Sequence, residues 1–232
     1  MKKILVMCAL MVTGLSAAAQ NIQVHYDFGR SLYADEEGDR QNVTATFEQF
    51  SADKLGSWYY FVDLDINKHG AAGAYTEVSR EFNIGKQGFA AHVEYDGGLN
   101  VGTSFQTAAL VGGAWNGHNA DFSTTYSVQL LYKQFFGQNG NKAYSSVQLT
   151  GVWGTTFAHG KCTFSGFIDF WRGQKYNGHG QLVVLTEPQF WFNINPKVSV
   201  GTEWELSNNF VYNPVNDKSF FFNPTLAVKF NL

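Results

Sequence analysis

NVTATFEQFSADKLGSWYYFVDLDI, residues 42–66, reads as two runs of alternation around a polar turn. One face carries Val43, Ala45, Phe47, Trp58, Tyr60, Val62, Leu64 and Ile66. The other carries Thr44, Thr46, Glu48, Tyr59, Phe61, Asp63 and Asp65. A period of two is the mark of a strand with unlike sides, and SADKLG (51–56) supplies the turn of a hairpin. A soluble sheet would bury the first face and wet the second. A wet face has little use for Tyr59 and Phe61 among carboxylates, so the hairpin asks which side of the protein is the inside.

The chain opens MKKILVMCALMVTGLSAAAQ. Lys2 and Lys3, an apolar run from Ile4 to Leu15 and the small residues Ala17, Ala18 and Ala19 have the layout of a secretory signal peptide. The run is too short and wrongly flanked for a spanning helix. Cleavage is expected after Ala19, leaving one domain over 20–232. Cys8 stands in a stretch like a lipid-attachment box, but the apolar run continues past it, so it reads as part of the leader. The leader takes Lys2 and Lys3 with it, which makes the exported chain more acidic than the net −3 of the whole sequence. That argues against a nucleic-acid polymer as partner, which needs a basic stripe. Cys162 is then the one cysteine left, so no internal disulfide is possible.

Aromatic residues make up 16% of the chain and charged residues 15%, well below the roughly 25% charged of soluble domains. Low charge, many rings, an exported chain and no apolar helix point to a membrane crossed by strands. A mean hydropathy of −0.19 fits, because a barrel hides its polar half in the lumen.

Period two recurs almost throughout, broken by Gly, Asn, Asp and Pro clusters. The pattern predicts an all-β, closed antiparallel transmembrane barrel of twelve strands. They fall near 22–31, 42–50, 57–66, 75–84, 88–96, 104–114, 122–135, 143–157, 161–172, 181–194, 197–207 and 219–231. Connections at 51–56, 85–88, 116–121, 158–161 and 195–197 are short and fall on one side. Those at 34–41, 67–74, 96–103, 137–142, 172–180 and 207–218 are mostly longer and fall on the other. That asymmetry is expected of outer-membrane barrels. Pro188 and Pro224 sit inside expected strands and mark irregular places in the ladder.

With the continuous apolar face outward, the inward face collects His25, Asp27, Asp96, Gln129, Lys133, Gln148, Asp169, Gln189, Glu203, Glu205 and Lys229 beside the acids of the opening hairpin. A soluble barrel would bury those acids or expose the aromatic face, and each is costly. Lipid outside and water inside avoids both. Arg80 falls on the lipid side by alternation with Val78, Phe82 and Ile84, which leaves two readings open: its head snorkels to the interface, or the register shifts there.

TFEQFSADKLGSWYYFVDLDI (46–66), YTEVSREFNIGK (75–86) and the terminal KFNL resemble the Tsx-like nucleoside-specific channel-forming porins of the outer membrane. That family has a strand with Glu-x-Phe, a short turn, an aromatic strand bearing an Asp, then Glu-Val/Ile-x-x-x-Phe-x-Ile. Glu48, Phe50, Asp63, Glu77, Val78, Phe82 and Ile84 match it. Ser79 and Arg80 depart from it, standing where the pattern has an acid and a proline. The resemblance implies a narrow twelve-stranded barrel that passes small polar solutes such as nucleosides.

The candidate solute-binding residues of the lumen are Glu48, Tyr59, Phe61, Asp63, Asp65, Glu77, Glu81, His92, Glu94, Trp171, Glu187 and Trp191. Rings stack on a base at very roughly 1–3 kcal/mol each, and carboxylates accept hydrogen bonds from ribose hydroxyls. Rings can equally just fill a small barrel, and the sequence leaves the two uses open. The acid excess favours neutral or cationic solutes over anions.

No catalytic group, metal site or cofactor is expected. His69, His118, His159 and His179 fall in turns without ligand spacing. His25 and His92 face inward, and no G-x-S-x-G is present. The expected protein is a monomeric outer-membrane channel in contact with lipid and lipopolysaccharide. The alternatives are a plugged barrel acting as adhesin or anchor, and a small outer-membrane barrel enzyme.

Overall fold

The structure is a computed structural model that describes residues 17–100, 103–138, 140–175, 179–211, 213 and 215–232. Its strands are β1 (Ala17–Asp27), β2 (Val43–Ala52), β3 (Gly56–Asn67), β4 (Gly70–Ile84), β5 (Phe89–Asn100), β6 (Thr103–Ser104), β7 (Ala108–His118), β8 (Thr124–Phe135), β9 (Tyr144–Phe157), β10 (Cys162–Gln174), β11 (Gly180–Thr186), β12 (Gln189–Asn195), β13 (Val198–Asn208) and β14 (Phe220–Asn231). Every pairing is antiparallel, and β14 returns to β1 from Asn21–Asn231 to Asp27–Thr225, so the sheet closes on itself. β6 pairs only with β5. β11 and β12 lie end to end between β10 and β13 and act as one stave. The result is the expected twelve-stave barrel. Closure leaves no strand edge to be satisfied in lipid.

The barrel is inside out relative to a soluble one. Trp58, Leu64, Val78, Phe82, Val93, Trp115, Val128, Leu130, Trp204 and Leu226 are exposed on its outer face. Asn21, Gln23, His25, Asp27, His92, Gln129, Lys133 and Gln148 are buried within it. Brominated lipid is therefore expected to quench a variant whose one tryptophan is Trp58, and to spare one that keeps only Trp191, which is 0% exposed. Equal quenching of the two would contradict this assignment of faces.

Arg80 lies on the outer face, as alternation requires, yet is only 5% exposed. Its guanidinium sits 5.2 Å from the Trp58 ring centroid and 5.0 Å from that of Phe82. It donates to Asp53 Oδ1 in the β2–β3 turn at 2.9 Å. The arginine thus reaches out of the apolar belt to a carboxylate at its rim, and this hydrogen bond holds the Asp53 carboxyl below its usual range.

Several boundaries differ from expectation. The first strand runs 17–27 rather than 22–31 and gives way to a short helix, α1 (Gly29–Leu32). Gly29 turns the chain there: its N–H donates to Asp27 Oδ1 at 2.6 Å, and an added Cβ would meet Asn223 Oδ1 at the same distance. The expected loop 67–74 is a tight turn at Lys68–His69 between longer strands. Asn67 Oδ1 accepts the His69 N–H, and Gly70 takes φ +115. β5 continues to Asn100 through the expected loop 96–103. The expected strand 181–194 is interrupted at Glu187–Pro188, where the proline has no N–H to give. Pro224 stays within β14, and side chains replace ladder bonds beside it. Thr202 Oγ1 donates to the Thr225 carbonyl at 2.6 Å, and the Glu203 N–H donates to Thr225 Oγ1 at 3.1 Å.

The leader residues 1–16 lie outside the described residues, as do residues 101–102, 139, 176–178, 212 and 214 of the expected longer connections. Ala17–Ala19 pair with β2 alone, and pairing with β14 begins at Asn21.

Candidate functional site

The candidate residues come from six of the twelve staves. β2 places Glu48, and β3 places Tyr59, Phe61, Asp63 and Asp65. β4 places Glu77 and Glu81, and β5 places His92 and Glu94. Trp171 comes from β10, Trp191 from β12, and Glu187 from the link between β11 and β12. All face inward. Register then sets who stands beside whom: Glu48 opposite Phe61, Phe61 opposite Glu77, and Asp63 opposite Tyr75. At these positions rings and carboxylates alternate across β2, β3 and β4, whereas Glu77 stands opposite Asp96 of β5. The Tyr59 hydroxyl donates to Glu48 Oε2 at 3.2 Å and the Tyr75 hydroxyl to Glu77 Oε1 at 2.9 Å. Thr46 and Thr44 donate to Asp63 and Asp65.

The acids are only partly matched by cations. His92 lies between Glu94 at 2.9 Å and Glu81 at 3.3 Å. Lys133 Nζ pairs with Asp96 Oδ2 at 2.9 Å and donates to Gln148 at 2.8 Å. Lys229 Nζ lies 4.0 Å from the Trp191 ring centroid. Glu187, in the link between β11 and β12, and Glu203 and Glu205 of β13 line the same lumen as Asp63 of β3 and Glu77 of β4. Carboxylate oxygens of Glu77, Glu94 and Asp96 lie within 4.8 Å of one another. This oxygen trio has the donors for a hard cation, but Lys133 already supplies a positive charge to it. It arises from the pairing of β4 with β5, which no spacing along one strand reveals.

Part of the interior is packed solid. Trp191, Phe221, Ser199 and Asn223 are fully buried beside β1, and Ala108, Leu110 and Leu131 form a small apolar cluster across the barrel. Between these regions Tyr59, Phe61, Asp63, Tyr75, Glu77, Glu94, Asp169, Glu187 and Glu203 keep partial solvent exposure. Two kinds of ring thus line the lumen: covered ones that fill it and open ones that border the acids.

Sequence reasoning missed Tyr75 and Phe105, which extend the row of lumen rings, and it missed Arg40. Arg40 reaches in from the connection after α1, with Nη2 at 2.8 Å from both Asp27 Oδ2 and Glu205 Oε2 and Nη1 at 3.4 Å from Glu37 Oε1. It ties the mouth connection to β1 and β13. Glu37 is itself buried and accepts from Asn223 Nδ2 at 3.1 Å. Burial pushes its carboxyl up, opposed by the charge of Arg40. Within ADEEGDRQ (34–41), one arginine among acids beside a strand ending in Asp27 was the available signal.

A closed barrel with an apolar exterior and a polar, acid-rich interior defines an outer-membrane β-barrel. The chain belongs to the family described as "Domain of unknown function (DUF5020)", which matches residues 19–232. No curated protein matches it. Among solved structures it is similar to the NanC porin, at 12% identity and a TM-score of 0.60 over 92% of this chain and 100% of that one. It is also similar to the KdgM porin in complex with disordered oligogalacturonate, at 10% identity and a TM-score of 0.51 over 93% and 99%. Likeness at this identity is likeness of fold. With the apolar outer face it places the chain in the outer membrane. Specificity for nucleosides does not follow from it.

Proposed function

We propose that the protein is a passive outer-membrane channel for small polar solutes that are neutral or cationic, nucleosides among them. The observation that carries this reading is that inward-facing carboxylates and rings, Asp63, Glu77, Glu94, Asp169, Glu187 and Glu203 with Tyr59, Phe61 and Tyr75, stay partly exposed inside the barrel. Acids on several staves of the lumen repel anions and attract cations. A neutral solute finds acceptors for its hydroxyls in Glu48, Asp63, Asp65 and Glu77, and surfaces for an apolar face in Tyr59 and Phe61. Glu81, His92, Glu94, Trp171, Glu187 and Trp191 complete the lining we assign to the path. Several weak sites in series suit transport, since a solute must leave as well as enter. The oligogalacturonate of the KdgM complex bears carboxylates and would meet repulsion here. The same proposal includes removal of residues 1–19 on export, a monomer surrounded by lipid and lipopolysaccharide, and no catalytic role.

Proteoliposome swelling tests it. Adenosine and arabinose are expected to enter much faster than galacturonate at neutral pH. Equal entry of galacturonate would overturn the charge argument, and no entry of any solute would favour the plugged barrel.

A further inference from the structure

We infer that one wall of the lumen is a track for linear, uncharged oligosaccharides, taken up by chain length rather than as single rings. This rests on the channel reading above and names its substrate class.

Four rings run from the mouth into the barrel: Phe105, Tyr75, Phe61 and Tyr59. Successive centroids are 5.8, 6.0 and 6.2 Å apart. Phe105 leans over Gly98 of β5, where an added Cβ would lie 2.3 Å from the Ala74 carbonyl oxygen and 2.8 Å from the Phe105 ring, so only glycine fits beneath the outermost ring. A spacing near 6 Å is close to the repeat of a pyranose chain. The row is also too long for the base of one nucleoside.

Filling the lumen does not account for these rings. The barrel has fillers, Trp191 and Phe221, and both are 0% exposed. The rings of the row keep partial exposure, rising to 40% at Phe105. Each of the inner three also has a carboxylate beside it: Glu48 at Tyr59, Glu77 at Phe61, and Asp63 and Glu77 at Tyr75. A pyranose has an apolar face and a rim of hydroxyls. Against the open side of such a ring it offers those hydroxyls to flanking acceptors; successive ring planes turn by 88°, 49° and 53°, so a chain follows the row by twisting from one ring to the next. Linked weak contacts make binding grow with length while each step stays reversible.

Current block in planar bilayers tests the proposal, with maltose to maltohexaose and chitobiose to chitohexaose as probes and adenosine as the single-ring comparison. The half-blocking concentration of the wild-type channel is expected to fall about tenfold or more from dimer to hexamer in at least one series. Phe61→Leu and Tyr75→Leu keep most of the volume and are expected to flatten that dependence. Each variant is first checked for the heat-modifiable mobility of a folded barrel. Block that is independent of length in both series, or length dependence that survives in both variants, overturns the track and leaves the channel reading standing. So does adenosine blocking as strongly as the hexamers. Absence of any conductance overturns the channel reading instead. Calorimetric titration of the detergent-solubilised wild type then decides the track: affinity rising with length supports it, and no such rise overturns it.

Discussion

Arg40→Gln is expected to lower the stability of the barrel by about 3 kcal/mol, as when one member of a buried ion-pair network is removed. Arg40 holds Asp27 and Glu205 at 2.8 Å each, and Glu37 lies within 3.4 Å. All three acids are far less exposed than the arginine, so they cannot turn to water when it is lost. The variant also frees the mouth connection from β1 and β13, and single-channel conductance is expected to rise. The penalty depends on pH. Burial raises the folded-state value of the Glu37 carboxyl above its unfolded one, and Arg40 is the main influence holding it down. A group raised in this way contributes stability below its unfolded value and loses it as pH rises through the folded one. Without Arg40 that loss grows. The Arg40→Gln penalty, read from denaturant midpoints, is therefore expected to be larger at pH 8 than at pH 4. An equal penalty at both would show that the arginine acts by packing alone.

Lys133→Met is expected to cost about 3–5 kcal/mol by the same logic. Lys133 and Asp96 are both buried, with Nζ 2.9 Å from Asp96 Oδ2, and Asp96 Oδ1 has no hydrogen-bond partner among the described residues. Removing the lysine strands Asp96 in the trio with Glu77 and Glu94. The double variant Lys133→Met with Asp96→Asn is expected to recover most of the loss, because the stranded charge goes with its partner. If the double variant is no more stable than Lys133→Met, the pair is not what the lysine contributes. The single variant is also expected to be more cation-selective than the wild type.

Alternation made the inside-out barrel legible, because a side-chain period of two assigns every residue of a strand to one face once the apolar face is given to lipid. The hairpin 42–66 is the clearest case: its acids and rings point inward, as read, and Arg80 points outward, as read. What alternation cannot supply is distance around the barrel. Lys133 on β8 meets Asp96 on β5 across β7, which does not follow without the pairing register. Arg40 was hidden for a different reason. A short acidic connection rich in Gly and Asp has the composition of a solvated loop, and only the acids waiting on β1 and β13 draw its arginine inward. The turn at Lys68–His69 was misplaced because Gly and Ala in 70–74 resemble loop composition, whereas there they are the small residues of a strand.

The zero-current potential of a single channel under a potassium chloride gradient tests the central claim most directly, namely that a water path lined by acids runs through this barrel. The account predicts stepwise conductance with a potential of the sign set by potassium, shrinking as Asp63, Glu77 and Glu187 are replaced by their amides. A potential of the sign set by chloride, or a membrane that stays silent with folded protein in it, would contradict it.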